Sequence, residues 1–115
     1  IRSTIEDCKN FQGITVVLAI NYGGKDEIIR AIKKISNIDG INEHIFSLLM
    51  DLPELPDTDL IIRTGGEKRI SNILLWQSAY AELVFSDTLW PDYTEEEFLS
   101  HIEEYKKRNR RFGSA

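Results

Sequence analysis

The 115-residue sequence has room for one small domain with a single core, and its 42% hydrophobic and 29% charged side chains are ordinary for a globular protein. Its formal charge of −5 argues against general nucleic-acid binding, and no apolar run approaches the roughly 18 residues of a membrane span. The lone cysteine, Cys8, excludes an internal disulfide and fits a reducing compartment, while His44 and His101 lack the HxxH or HExxH spacing of a zinc site.

The start, Ile1-Arg2-Ser3-Thr4, carries no initiator Met and no signal or transit composition, so the chain reads as one entered partway. Residues 1–9 can continue a helix with Ile1, Ile5 and Cys8 on one face, which Phe11-Gln12-Gly13 breaks. The β-branched and aliphatic run Ile14 to Ile20 predicts a strand covered on both faces, as in a parallel sheet, and it ends in the loop Asn21-Tyr22-Gly23-Gly24. Asp26 to Ser36 carries Ile28, Ile32 and Ile35 at helical spacing, and Ile41 to Met50 predicts a second, shorter helix. Pro53 and Pro56 stiffen an exposed connection to a second strand, Asp59 to Arg63. A helix-containing crossover joins parallel neighbours, so both Gly-Gly loops are expected at the carboxyl edge of one sheet, where open α/β sheets bind ligands.

The stretch Asp59 to Asn72 is the densest in chemistry. An apolar strand ends in Arg63, followed by Gly65-Gly66, then Lys68, Arg69, Ser71 and Asn72. Paired glycines let the backbone take positive φ and approach a ligand, and guanidinium forks recognise charged oxyanions bidentately. An exposed turn with ordinary surface charges is the plainer reading of the same residues. Ile73 to Tyr80 predicts a short buried helix, and Glu82 to Phe85 a third strand. Glu82 at the head of an apolar strand is either an edge residue in water or a placed acid needing a partner. Thr94-Glu95-Glu96-Glu97 is a capping box opening a final helix, with Phe98, Ile102 and Tyr105 as its inner stripe. The basic run Lys106 to Arg111 after acidic Glu103 and Glu104 suits the dipole of a solvated helix.

Taken in order, NYGG, RTGGEKRISN and LLWQSAYAELVF, followed by LWPDY and a terminal RRFG, closely resemble the cis-prenyltransferases, especially the bacterial undecaprenyl diphosphate synthases, from about Ile14 to Gly113. The resemblance implies an open, mainly parallel α/β sheet flanked by helices. It also implies a cytoplasmic, homodimeric enzyme that condenses isopentenyl diphosphate onto an allylic diphosphate such as farnesyl diphosphate, forming a Z double bond at each step. The undecaprenyl diphosphate made this way is a lipid-carrier precursor for cell-wall glycans, delivered to the membrane. Arg63, Arg69 and Ser71 match the residues that hold the diphosphate of isopentenyl diphosphate, with Ile70 supplying backbone, and Glu82 matches a Mg²⁺-associated glutamate. Arg111 and Gly113 match the RxG element that reaches a partner subunit's site. Lys68 stands where family members often carry His, and a protonated Lys cannot ligate a metal. Trp76, Tyr80 and Phe85 read as core or dimer contacts.

Nothing in the sequence matches the family's DGNGRW-type motif, which carries the catalytic Asp and the bed for the allylic diphosphate. The expectation is therefore the C-terminal half of one domain, supplying the isopentenyl diphosphate side of the site and no catalytic residue, and inactive alone. The alternative is a non-catalytic partner subunit of a heteromeric cis-prenyltransferase, against which the intact RTGGEKRISN and Glu82 count. A nucleotide-binding module would want GxxxxGK[ST] or GxGxxG, and neither is present.

Overall fold

A computed structural model describes residues 2–109. Helices α1 (Arg2–Cys8), α2 (Gly24–Lys33) and α3 (Glu43–Ser47) precede strand β1 (Leu60–Arg63). Strand β2 (Glu82–Phe85), a 3-10 turn (Trp90–Asp92) and helix α4 (Glu95–Lys106) follow. β1 and β2 pair in parallel, with Leu60 opposite Glu82 and Arg63 opposite Phe85. The result is an α/β arrangement with a small parallel sheet and helices. Arg63 therefore stands at the carboxyl edge and Glu82 at the amino end, about 10 Å apart along the sheet at the usual rise per residue.

The core lies where α2 meets α3 and the segment after β1. Ala31, Phe46 and Met50 are buried there, with Ile28, Ile35, Ile41, Leu49 and Trp76 packed around them. The rings of Phe46 and Trp76 meet edge to face at 4.6 Å, and Trp76 Nε1 donates to Ser47 Oγ at 2.9 Å. α2 forms because its apolar residues recur on one stripe and its charges follow the dipole, with Asp26 and Glu27 in the first turn and Arg30 and Lys33 in the last. In α4, Thr94 accepts the Glu97 N–H as the capping sequence predicts.

Two predicted elements differ. Residues 14–20 form no strand, because a ladder needs a partner backbone and no described segment pairs with them. Their side chains stand in solvent: Ile14 is 91% exposed, and Val16, Leu18 and Ile20 are also exposed. Residues 73–80 form successive turns rather than a helix, since Ser71, Asn72 and Leu74 all take positive φ at its start and divert the chain. That segment is half-buried at Leu74 to Ser78, and Tyr80 is exposed. Trp76 is a core contact as expected, and Phe85 is half-buried.

Candidate diphosphate site at the carboxyl edge

Two loops meet beyond the carboxyl ends of β1 and β2. Gly65 and Gly66 take φ of +88° and +74°, the left-handed region that favours glycine. Their N–H groups donate to Thr88 O at 2.8 Å and Ser86 O at 2.9 Å, anchoring the turn on the loop after β2. The glycine amides are thus spent inside the protein, and the capacity to hold an anion falls to side chains. Asn72, at φ +64°, holds the other Gly-Gly loop: its carbonyl accepts Gly24 N–H at 2.7 Å and its Oδ1 accepts Lys25 N–H at 2.9 Å. The first Gly-Gly loop is thus tied to Asn72, at the end of the stretch that begins with the second.

The expected clamp residues differ in setting. Arg63 is half-buried, and its Nε is buried with no hydrogen-bond partner among the described residues. An unmet buried donor costs about 1–3 kcal/mol, so a ligand oxygen that meets it binds with that advantage. Arg69 is exposed and paired with Glu67, and Ser71 is exposed at φ +48°. Ile70 is half-buried and its carbonyl accepts Ile73 N–H at 3.2 Å, a backbone role. Ser71, Asn72 and Leu74 are non-glycine residues held at left-handed φ within four positions, and such strain concentrates at ligand-binding sites. Arg111 and Gly113 lie outside the described residues.

Glu82 is not part of this cluster. It is a placed acid whose partner is Arg108, at 2.8 Å, each side chain 28% exposed. Arg108 also donates to Leu83 O at 3.0 Å and pairs with Glu104, so part of the basic run ties α4 to β2. No group of three or more His, Cys, Asp or Glu side chains among the described residues could hold a metal. Mg²⁺ takes one or two carboxylates plus phosphate oxygens and water, so Glu82, once released by Arg108, fits as one ligand and no more.

A residue that the sequence reading passed over anchors the site from behind. Glu27 is 2% exposed and accepts four hydrogen bonds: from Tyr22 Oη, from Asp51 N–H at 3.1 Å, and from Gln77 Nε2 to both carboxylate oxygens at 3.1 Å. It joins the first Gly-Gly loop to the segment that follows Asn72. The signal was present, since Glu27 shares its helical row with Ala31 and Ile35, which puts an acid on the inward face. Burial, the hydrogen bond to Glu27 and its charge push the Tyr22 phenol well above its ordinary value of 10.0. A raised folded-state value stabilises fully below the unfolded value, and that contribution is lost as pH rises beyond it. Stability should therefore fall more steeply above pH 10 in the natural protein than in Tyr22→Phe, as denaturant melts at pH 9 and 11 will read.

Close approach explains the glycines of the first loop. A Cβ on Gly24 would lie 2.8 Å from Leu75 Cγ, 3.0 Å from Leu75 N and 3.2 Å from Asn72 O. Two of these are backbone atoms that cannot swing aside. Gly24→Ala should cost about 2 kcal/mol in chemical denaturation, with the loss traced to the 72–75 backbone by amide exchange.

Comparison with known proteins agrees with this architecture. A sequence profile described as "Putative undecaprenyl diphosphate synthase" matches residues 1–113. An isoprenyl transferase of Treponema denticola is 57% identical over 117 residues, covering 100% of this chain and 52% of that protein. The crystal structure of a probable undecaprenyl diphosphate synthase from Campylobacter jejuni superposes with a TM-score of 0.86 at 44% identity, over 98% of this chain and 54% of the other. Lavandulyl diphosphate synthase from Lavandula x intermedia, solved with dimethylallyl diphosphate, gives a TM-score of 0.86 at 32% identity, over 97% and 52%. The chain spans about half the length of the relatives it matches. On the profile match and these similarities, it belongs to the undecaprenyl diphosphate synthase family of cis-prenyltransferases.

Proposed function

We propose that this chain supplies the isopentenyl diphosphate side of a cis-prenyltransferase site, and that the whole protein elongates an allylic diphosphate to undecaprenyl diphosphate. The observation that carries the reading is the buried Nε of Arg63 at the carboxyl edge, without a partner among the described residues and followed by a loop with left-handed residues. A diphosphate oxygen can accept from Nε, and Ser71 and Arg69 are at hand in the same loop for its other oxygens. Arg69 would exchange Glu67 for the substrate. Holding the diphosphate fixes the alkene of isopentenyl diphosphate for attack on the allylic carbon, an orientational gain that needs no catalytic side chain from this chain.

The allylic diphosphate, farnesyl diphosphate in this proposal, and the group that takes the departing proton would be met by an N-terminal half of the same domain. Exposed Ile14, Val16, Leu18 and Ile20 give that half an apolar, strand-ready edge to cover. Mg²⁺, when bound, would neutralise charge on the departing diphosphate, held mainly by diphosphate oxygens with Glu82 as one carboxylate. A cytoplasmic homodimer is the proposed state, with Arg111 and Gly113 reaching the partner's site. No helix among the described residues is long and apolar enough to cross a membrane.

Incorporation of radiolabelled isopentenyl diphosphate by the full-length protein, with farnesyl diphosphate and Mg²⁺, tests this reading. Chain products that disappear in Arg63→Ala support it. A well-folded full-length protein that incorporates no label refutes it and points to a non-catalytic partner subunit.

A further inference from the structure

Ser86, the residue after β2, is 5% exposed and has every polar atom in use. Its N–H donates to Arg63 O at 2.8 Å, and its carbonyl accepts Gly66 N–H at 2.9 Å. Its Oγ accepts Thr88 N–H at 3.0 Å and donates to the carboxylate of Glu97. One residue therefore touches, through its backbone, the strand end that carries Arg63 and the second glycine of the turn, and, through its side chain, the first turn of α4.

Glu97 stands at the third position of α4, where a capping box would send its carboxylate back to the helix's own N-terminus. Its N–H is capped by Thr94, but its side chain goes to Ser86 instead. α4 is thereby fastened to the strand–turn segment on which the diphosphate clamp is built. Among the described residues the Arg63 Nε has no hydrogen-bond partner, while the Arg63 carbonyl is held by the Ser86 N–H.

We infer that Ser86 and Glu97 act as a coupled pair of positioning residues, setting the Arg63–Gly66 segment so that it fits the diphosphate of isopentenyl diphosphate without either side chain touching that substrate. The inference rests on the function proposed above. Ser86→Ala keeps both backbone hydrogen bonds and removes only the hydroxyl. Glu97→Ala removes the acceptor, whereas Glu97→Gln and Ser86→Thr keep an acceptor and a hydroxyl in place.

Steady-state kinetics of the full-length enzyme, with each diphosphate varied in turn, tests the pair. Ser86→Ala and Glu97→Ala should each raise KM for isopentenyl diphosphate about tenfold, leave KM for the allylic diphosphate within about twofold, and combine to no more than the larger single effect. Ser86→Thr and Glu97→Gln should restore most of the loss. Should an alanine variant fold poorly, Glu97→Gln and Ser86→Thr titrated with inorganic pyrophosphate give the second reading, and both should bind within about threefold of the natural protein. Loss of thermal stability with both KM values unchanged, multiplication of the two single effects, or failure of the conservative variants to bind pyrophosphate overturns the inference. Arg63→Ala separates the two ideas. If it raises KM for isopentenyl diphosphate and Ser86→Ala does not, the pairing alone is wrong; if neither does, the clamp itself is wrong.

Discussion

Arg63→Lys should raise KM for isopentenyl diphosphate roughly 10- to 100-fold while leaving KM for the allylic substrate nearly unchanged. Lysine keeps the charge but loses the Nε donor and the planar fork, so the comparison isolates geometry from Coulomb attraction. The magnitude follows from a charge-assisted hydrogen bond of about 1.5–3 kcal/mol at about 1.4 kcal/mol per tenfold. Arg69→Ala should cost less, because Arg69 is 64% exposed and already shares its charge with Glu67 in high dielectric. Initial-rate kinetics with both substrates varied reads both expectations. Equal effects of Arg63→Lys and Arg69→Ala would show that burial of Nε does not matter.

The second large effect is on stability. Glu27→Ala should destabilise by roughly 3 kcal/mol, since it leaves Tyr22 Oη, the Asp51 N–H and the Gln77 amide without their acceptor in a buried place. Glu27→Gln should cost less, because it keeps one acceptor oxygen while turning the other position into a donor that faces the Gln77 amide. Urea denaturation of the two variants measures the difference. A loss below about 1 kcal/mol in Glu27→Ala would mean water replaces the carboxylate and the network is not structural.

Much of the frame was legible because local chemistry and long-range packing agree there. β1 and β2 are short aliphatic runs that end in polar loops, and α4 opens on a Thr whose hydroxyl does cap Glu97. Arg63 was expected at the end of a strand and the structure places it there, at the carboxyl edge of β1. What sequence could not show is which partner each polar group finds. Glu97 looked committed to its own helix yet serves Ser86, and the partner that Glu82 needed proves to be Arg108, 26 residues away.

The two misplaced elements fail for different physical reasons. Residues 14–20 have strand propensity without a ladder partner among the described residues, and propensity alone does not make a sheet. Residues 73–80 have helical periodicity, but the chain enters them through left-handed Asn72 and Leu74, whose geometry is set by contacts with the first Gly-Gly loop. Tertiary contact overrides local preference in both cases, by its absence in one and its presence in the other. The second case falls at the candidate site, where local rules are expected to yield to function.

The most direct test is a structure of the full-length protein with isopentenyl diphosphate bound. A diphosphate oxygen should lie within hydrogen-bond distance of Arg63 Nε, with Ser71 Oγ and the Arg69 guanidinium turned to the same group and Arg69 released from Glu67. A diphosphate seated elsewhere, with Arg63 Nε bonded to a protein group, would contradict the proposed clamp.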